Sequence, residues 1–200
     1  RKTFIYNTFE KLMKAISKSL KKNDPNHLNL GIRYGYIEQL DDELLRISKE
    51  SFDALSFNCY ALSPDHEKMN HALEISGLPM IIGEYHFGTV DRGLAQSLWQ
   101  VNSQKERGDA FRYYTENAFA HRGLIGTGWF RWIDQNINGR TDGENYNCGF
   151  IDVTDRPYPY MVDAAIETAK SLYEIHSGTK TPFHQAPNAV GHSPIPNLWE

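Results

Sequence analysis

The 200-residue sequence lacks the marks of a membrane protein and of a nucleic-acid-binding protein. No stretch approaches the about 20 apolar residues that a membrane-spanning helix needs. The net charge is only −4, and the one basic cluster, Lys18, Lys21 and Lys22, falls late in a predicted helix, where a solvated helix face accounts for it. We therefore expect neither a nucleic-acid partner nor a membrane partner.

Motifs that bind cofactors or metals are also missing. No glycine-rich phosphate loop follows the first predicted strand, no His/Cys spacing suits zinc, and no Gly-x-Ser-x-Gly motif supports a serine hydrolase. The segment from Asp134 begins like a calcium-binding EF-hand loop, but its twelfth position is Asn145, Glu144 comes one residue early, and no helix leads into it. The sequence therefore predicts no metal and no cofactor.

Cysteine is scarce, with only Cys59 and Cys148. Two buried thiols and one disulfide are both compatible with two cysteines, so the cysteine count does not indicate the cellular compartment. No signal peptide opens the sequence, which starts at Arg1 and enters a helical pattern at once. We expect the chain to be a piece of a longer protein.

The sequence does contain an alternation of helical and strand patterns. A first helix is predicted over 3–21. Strands are predicted over 28–34, 54–60, 79–85 and 124–130, and each is followed by a predicted helix. These four helices span 41–50, a segment that begins with an N-cap at Ser63 and Pro64 at N1 and ends at Gly77, 104–121 and 160–176. Strands separated by helices imply an α/β fold with a parallel sheet, and four such units are half of a (β/α)₈ TIM barrel. A free-standing doubly wound sheet is the alternative. Residues 1–177 are predicted to form this half barrel, and residues 178–200, rich in Pro, Gly and His, are predicted to be an irregular C-terminal tail.

Polar or aromatic side chains follow each predicted strand at its C-terminal end, where active sites of parallel α/β folds gather. These residues are Arg33, Asn58, Tyr60, Glu84, His86 and Trp129, with Trp132, Asp134 and Gln135 just beyond the last strand. Glu84 is the strongest candidate because it follows the apolar run 79–83, where an unpaired charge is costly to bury.

Two residues have both a functional and a structural interpretation. Glu84 can be a nucleophile that Tyr60, Arg33 and His86 keep ionised and oriented, or a partner in a structural salt bridge with Arg33. Trp129 can be a flat apolar wall under a sugar ring, or simply a core residue.

Several segments, taken together, resemble one family. Residues 82–88 followed by Asp91-Arg92-Gly93 resemble the seventh-strand nucleophile segment of the agarase-like glycoside hydrolases of clan A, family 50. Residues 128–135 resemble their eighth strand, and 142–146 with 149–153 the loop after it. Residues 24–28 with 30–31 resemble the entry to the fifth strand, and 56–60 the sixth. The resemblance covers nearly all of the chain except the tail, and Tyr85 departs from the Phe expected in many relatives.

The resemblance implies strands 5–8, the C-terminal half of the catalytic barrel, in a retaining O-glycosyl hydrolase that cleaves β-linked galactan such as agarose or its oligosaccharides. Glu84 would be the nucleophile, and a second glutamate, the acid/base, would stand about 5–5.5 Å away on strand four, which precedes residue 1. Glu38 is a tempting substitute, but a solvated helix start explains it better. Substrate-binding residues would be Arg33, Asn58, Tyr60, His86, Trp129, Trp132, Asp134, Gln135 and Glu144.

Other functions remain open at this point. A β-galactosidase, a mannanase or another clan A glycosidase is one alternative, a carbohydrate-binding barrel without catalysis is a second, and an unrelated doubly wound binding domain is a third. Half a barrel leaves two open sheet edges, so we expect the fragment alone to be inactive and to need the N-terminal half of the barrel from its parent chain or a second chain. A polysaccharide substrate suggests a secreted or periplasmic location.

Overall fold

The structure is a computed structural model that describes residues 1–192. The helices of this part are α1 (Lys2–Asn23), α2 (Asp42–Ser51), α3 (His66–Ser76), α4 (Gln104–Phe119) and α5 (Pro159–His176). Its strands are β1 (Arg33–Tyr34), β2 (Leu55–Asn58), β3 (Met80–Tyr85), β4 (Trp99–Gln100), β5 (Leu124–Trp129) and β6 (Val190–Gly191), and a 3₁₀ turn spans Ile37–Gln39.

The main sheet has four strands in the order β1-β2-β3-β5, and each is followed by a helix. β1 and β2 run parallel, with Arg33 opposite Ser56. The prediction of an α/β fold with a parallel sheet is therefore confirmed. β1 is shorter than predicted, because Gly31 adopts a φ of 71° and bends the backbone two residues before the strand begins.

The chain divides into two compact units. The first comprises Arg1–Cys59, Asp65–Gly83 and Gly123–Thr127, and the second comprises Tyr60–Pro64, Glu84–Arg122 and the residues from Gly128 onwards. Most of the main sheet therefore lies in the first unit, and the last two residues of β3 and of β5 belong to the second.

The core of the first unit consists of apolar side chains from the strands and helices around them. Leu55, Phe57, Met80, Ile82 and Leu124 are each completely buried. Burial of such a side chain contributes about 1.5–3 kcal/mol, so these five side chains stabilise the short strands that carry them.

Two features of the first unit's helices differ from simple expectation. α3 is capped by Asp65, whose carboxylate accepts the N–H groups of Glu67 and Lys68, and not by the predicted Ser63. An aspartate two residues later satisfies the free N–H groups directly. In α1 only Met13 and Ser17 are buried. Apolar side chains remain exposed along this helix at Phe4, Ile5, Leu12, Ile16 and Leu20.

The second unit contains α4 and α5, which approach each other closely at Gly108. A Cβ atom there would lie 2.5 Å from the carbonyl oxygen of Tyr160. β6 pairs antiparallel with β4, so part of the segment predicted as irregular forms a short strand. The sequence could not predict β6, because a strand of two residues is too short to show an alternating pattern. Residues 193–200 of the predicted tail lie outside the described residues. Within 1–192, no helix combines the length and the apolar character needed to cross a bilayer.

Candidate active site

Glu84 lies near the end of β3, half-buried, where the strand passes into the second unit. The phenol of Tyr60 donates a hydrogen bond of 2.9 Å to its Oε2 atom. Burial, and then the negative charge of Glu84, raise the pKa of Tyr60 well above its usual value. Tyr60 therefore remains protonated and acts only as a donor to the carboxylate.

His86 is buried, and both of its ring nitrogens are used inside the protein. Nδ1 is 3.0 Å from the carbonyl oxygen of Phe130, and Nε2 accepts the N–H of Leu98 at 3.1 Å. Burial lowers the pKa of His86 to about 3, so the ring is neutral and its proton is assigned to Nδ1. The ring meets Tyr60 edge-on, with 5.0 Å between centroids. Both ring nitrogens of His86 are thus bonded inside the protein, and its ring supports that of Tyr60.

Glu144 is held on the loop after β5 by buried and charged partners. Gln135, which is fully buried, donates from Nε2 to Glu144 Oε2 at 2.7 Å, and its Oε1 accepts the N–H of Tyr146 at 2.6 Å. Arg140 pairs with the same carboxylate at 3.3 Å. Gln135 therefore orients Glu144, whose side chain remains 23% exposed.

Trp129 packs mainly against other rings. Its centroid lies 5.1 Å from Tyr85 and 5.6 Å from Phe111, and its indole N–H donates to the carbonyl oxygen of Cys148 at 2.7 Å. The core interpretation of Trp129 therefore has direct support, although the residue is only half-buried. Trp132, in contrast, is 68% exposed and stacks on Phe150.

Asp134 is 4% exposed, and both carboxylate oxygens are used within the second unit. Oδ1 accepts the N–H of Gly149 at 2.7 Å, and Oδ2 accepts Asn147 Nδ2 at 2.8 Å and Tyr158 Oη at 2.6 Å. In this position Asp134 stabilises the loop after β5. Asp134 is also the first position of the segment that resembles an EF-hand loop, so these bonds use the carboxylate oxygens at that position.

Arg33 and Asn58, the other predicted site residues, belong to the first unit. Arg33 ends up beside Gly83, where an added Cβ would lie 2.3 Å from its Cδ atom, so this glycine makes room for the arginine. Asn58 is the last residue of β2 and is half-buried. Glu38, the weaker acid/base candidate, is exposed and pairs with Lys68 at 3.0 Å. Within the second unit, the structure groups Glu84 with Tyr60 and His86.

Arg107 on α4 is a residue that the sequence did not single out. It is fully buried, donates from Nε to the carbonyl oxygen of Phe87 at 3.2 Å, and donates from Nη2 to that of Gly149 at 2.6 Å. Its guanidinium also lies 4.9 Å from the ring centroid of Tyr158. Arg107 therefore ties the loop that follows Glu84 to the loop that follows Trp129.

The two cysteines are free, buried thiols, which decides between the alternatives left open by their number. Burial raises the pKa of Cys148 to about 12, so this thiol is neutral. A buried neutral thiol is inert, and we assign Cys148 to the core and not to chemistry.

Comparison with known proteins supports the resemblance found in the sequence. No model of a known protein family matches the chain. Beta-agarase A of Vibrio sp. (strain JT0107) is 36% identical over 166 residues, which are 80% of this chain and 16% of that protein. The crystal structure of an agarase superposes with a TM-score of 0.78 at 36% identity over 84% of this chain and 26% of that one. A solved exo-beta-agarase gives 0.81 at 32% identity, over 89% and 24%.

The predicted resemblance to agarases is thereby confirmed over most of the chain. The chain spans about a sixth of the length of the curated relative and about a quarter of the solved structures. Together with the strand order β1-β2-β3-β5, this coverage agrees with a partial (β/α)₈ barrel.

Proposed function

Because this chain is similar to β-agarases over four fifths of its length, we propose that it is the part of a retaining glycoside hydrolase that carries the nucleophile, Glu84. The proposed substrate is agarose or its oligosaccharides, a β-linked galactan. The observation that carries the proposal is the strand-end carboxylate of Glu84 with the Tyr60 phenol donating to it at 2.9 Å.

The proposed reaction is a double displacement at the anomeric carbon of the substrate. One carboxylate oxygen of Glu84 forms a bond to this carbon while the glycosidic bond breaks and the leaving oxygen takes a proton from a second carboxylic acid. Water then attacks the glycosyl-enzyme ester, gives its proton to the second group, and releases Glu84 as a carboxylate. Tyr60 holds Oε2 of Glu84 and so restricts the orientation of the attacking carboxylate.

The second carboxyl group is proposed to come from a part of the barrel outside these residues. In retaining enzymes it stands about 5–5.5 Å from the nucleophile. Two features of the first unit favour such a partner: β1 is an edge strand of the described sheet, and α1 exposes an apolar stripe that includes Phe4, Leu12 and Ile16. The remaining strands of the barrel, from the same chain or a second chain, would cover both.

Trp132 and Glu144 are the proposed contacts to the sugar. The exposed indole of Trp132 offers a flat face, and the partly exposed carboxylate of Glu144 accepts hydroxyl hydrogens. Their support by Phe150 and Gln135 would keep both in place. Because the proposed substrate includes a polysaccharide, we infer a secreted or periplasmic location.

The test of this proposal is Glu84→Ala in the protein at its full natural length, assayed on agarose oligosaccharides. Loss of turnover by about 1,000-fold or more, with partial recovery by added azide, is the expected result, because a small anion can replace the missing nucleophile. Glu144→Gln is the matched control, and it should raise KM more than it lowers kcat. Turnover within a few fold of the wild type in the Glu84 variant would reject the assignment and favour a barrel that only binds carbohydrate.

A further inference from the structure

The C-terminal segment 183–192, here called the strap, is anchored to α4 at its first residue. The N–H of Phe183 donates to Glu116 Oε2 at 2.8 Å, and its carbonyl oxygen accepts Asn117 Nδ2 at 3.0 Å. The guanidinium of Arg112 lies 4.6 Å from the centroid of the Phe183 ring. Glu116 is only 1% exposed, so a buried carboxylate is used to hold this point of the strap.

The strap is anchored a second time at its other end, on β4. Gly191 pairs with Trp99, and the N–H of His192 donates to the carbonyl oxygen of Leu98 at 2.7 Å. The contact is close, because a Cβ atom on Gly191 would lie 3.0 Å from Cζ2 of the Trp99 indole. The strap therefore fixes the backbone at Leu98 and Trp99.

This backbone is in direct contact with the candidate active site. The N–H of Leu98 donates to His86 Nε2 at 3.1 Å, and the His86 ring packs edge-on against Tyr60. Tyr60 in turn donates to Glu84. A continuous series of contacts thus leads from His192 through Leu98 and His86 to the Tyr60–Glu84 pair.

We propose that the strap is a positioning element of the active site, and that His86 is the positioning residue through which it acts. Loss of the strap's hold on Leu98 leaves the N–H of Leu98 and the His86 ring without a fixed geometry, and the Tyr60 ring loses its edge contact. The carboxylate of Glu84 then spends less time in the orientation for attack. The catalytic part of this inference rests on the proposed function.

The main experiment compares His192→Pro with His192→Ala in the protein at its full natural length. Proline removes the N–H that binds Leu98, whereas alanine keeps it and removes only the imidazole. We expect hydrogen exchange at the Leu98 amide to rise about tenfold or more in His192→Pro, with exchange in α4 and α5 unchanged. On agarose oligosaccharides, kcat should fall about tenfold with KM within a factor of two, and His192→Ala should lose less than twofold.

A milder variant covers the case in which His192→Pro does not fold. Gly191→Ala places a methyl group against Trp99, and Val190→Ala, at a 57% exposed position of the same strand, is its control. Gly191→Ala should show the same local rise in exchange at Leu98. Unchanged exchange at Leu98 in both strap variants would overturn the proposal.

The role of His86 is tested by combining variants. His86→Phe keeps a ring against Tyr60 but removes both ring hydrogen bonds. If the strap acts through His86, the loss of kcat in the double variant with His192→Pro should not exceed that of His86→Phe alone. Additive losses would contradict this route. Exchange at Leu98 is measured without substrate, so a failure of Glu84 as nucleophile is seen separately in the Glu84→Ala assay.

Discussion

Removal of one hydroxyl group, in Tyr60→Phe, tests how Glu84 is held. The phenol donates to Glu84 Oε2 at 2.9 Å from a half-buried position, while the ring keeps its edge contact with His86. A hydrogen bond to a charged group contributes about 1.5–3 kcal/mol, and 1.4 kcal/mol corresponds to a factor of ten. Because the bond orients the attacking carboxylate, we expect kcat/KM to fall about 10- to 100-fold.

The assay is steady-state hydrolysis of agarose oligosaccharides by the protein at its full natural length, with a thermal melt of each variant. Tyr34→Phe is the matched control, since its hydroxyl bonds Ser48 Oγ at 2.8 Å in the first unit. Like Tyr60→Phe, this variant removes one phenolic oxygen, and it should leave kcat/KM within a factor of two of the wild type. If Tyr60→Phe loses no more activity than this control, the hydrogen bond does not serve catalysis and the reasoning is refuted.

Three further predictions concern other residues of the second unit. Trp132→Ala should raise KM about fivefold, because stacking of a sugar on the indole contributes about 1 kcal/mol. It should leave the melting temperature unchanged, since the side chain is 68% exposed. An unchanged KM in oligosaccharide kinetics would exclude Trp132 as the surface on which the sugar stacks. Arg107→Met should lower the free energy of unfolding by about 3–5 kcal/mol in urea titrations, because three buried acceptors lose their donor. A loss below about 1 kcal/mol would contradict the role of Arg107 in tying the two loops together. The pKa of His86 is 6.5 in the unfolded chain and about 3 in the folded protein. The contribution of neutral His86 to the free energy of unfolding is therefore complete above pH 6.5 and is lost as the pH falls towards 3, with a slope of about 1.4 kcal/mol per pH unit. His86→Gln should lack this slope in pH-dependent unfolding, and an identical slope would show that another group titrates.

The fold could be predicted from the sequence because its signals are local. The apolar run 79–83 predicts β3, in which Met80, Ile82 and Tyr85 are buried, and the helices between strands show 3.6-residue periodicity. The position of Glu84 at the end of such a strand therefore follows from the residue pattern alone. The short pair of β4 and β6 does not, because two residues in each strand carry no period.

The roles of the polar residues could be predicted only in part. The bond from Arg107 to Gly149 spans 42 residues, and that from Tyr158 to Asp134 spans 24. Such pairs leave no pattern in the neighbouring sequence, and Arg107 sits among charged residues that are typical of a solvated helix face. For the same reason the internal hydrogen bonds of His86 and Asp134 could not be predicted from the sequence.

Identification of the residue that becomes glycosylated would test the central claim most directly. The protein at its full natural length would be treated with a 2-deoxy-2-fluoro galactoside inactivator, which slows hydrolysis of a glycosyl-enzyme ester, then digested and mapped by mass spectrometry. The account predicts that the sugar is attached to Glu84, and that Glu84→Gln takes up no label. A label on another carboxylate, or inactivation without a covalent adduct, would contradict it.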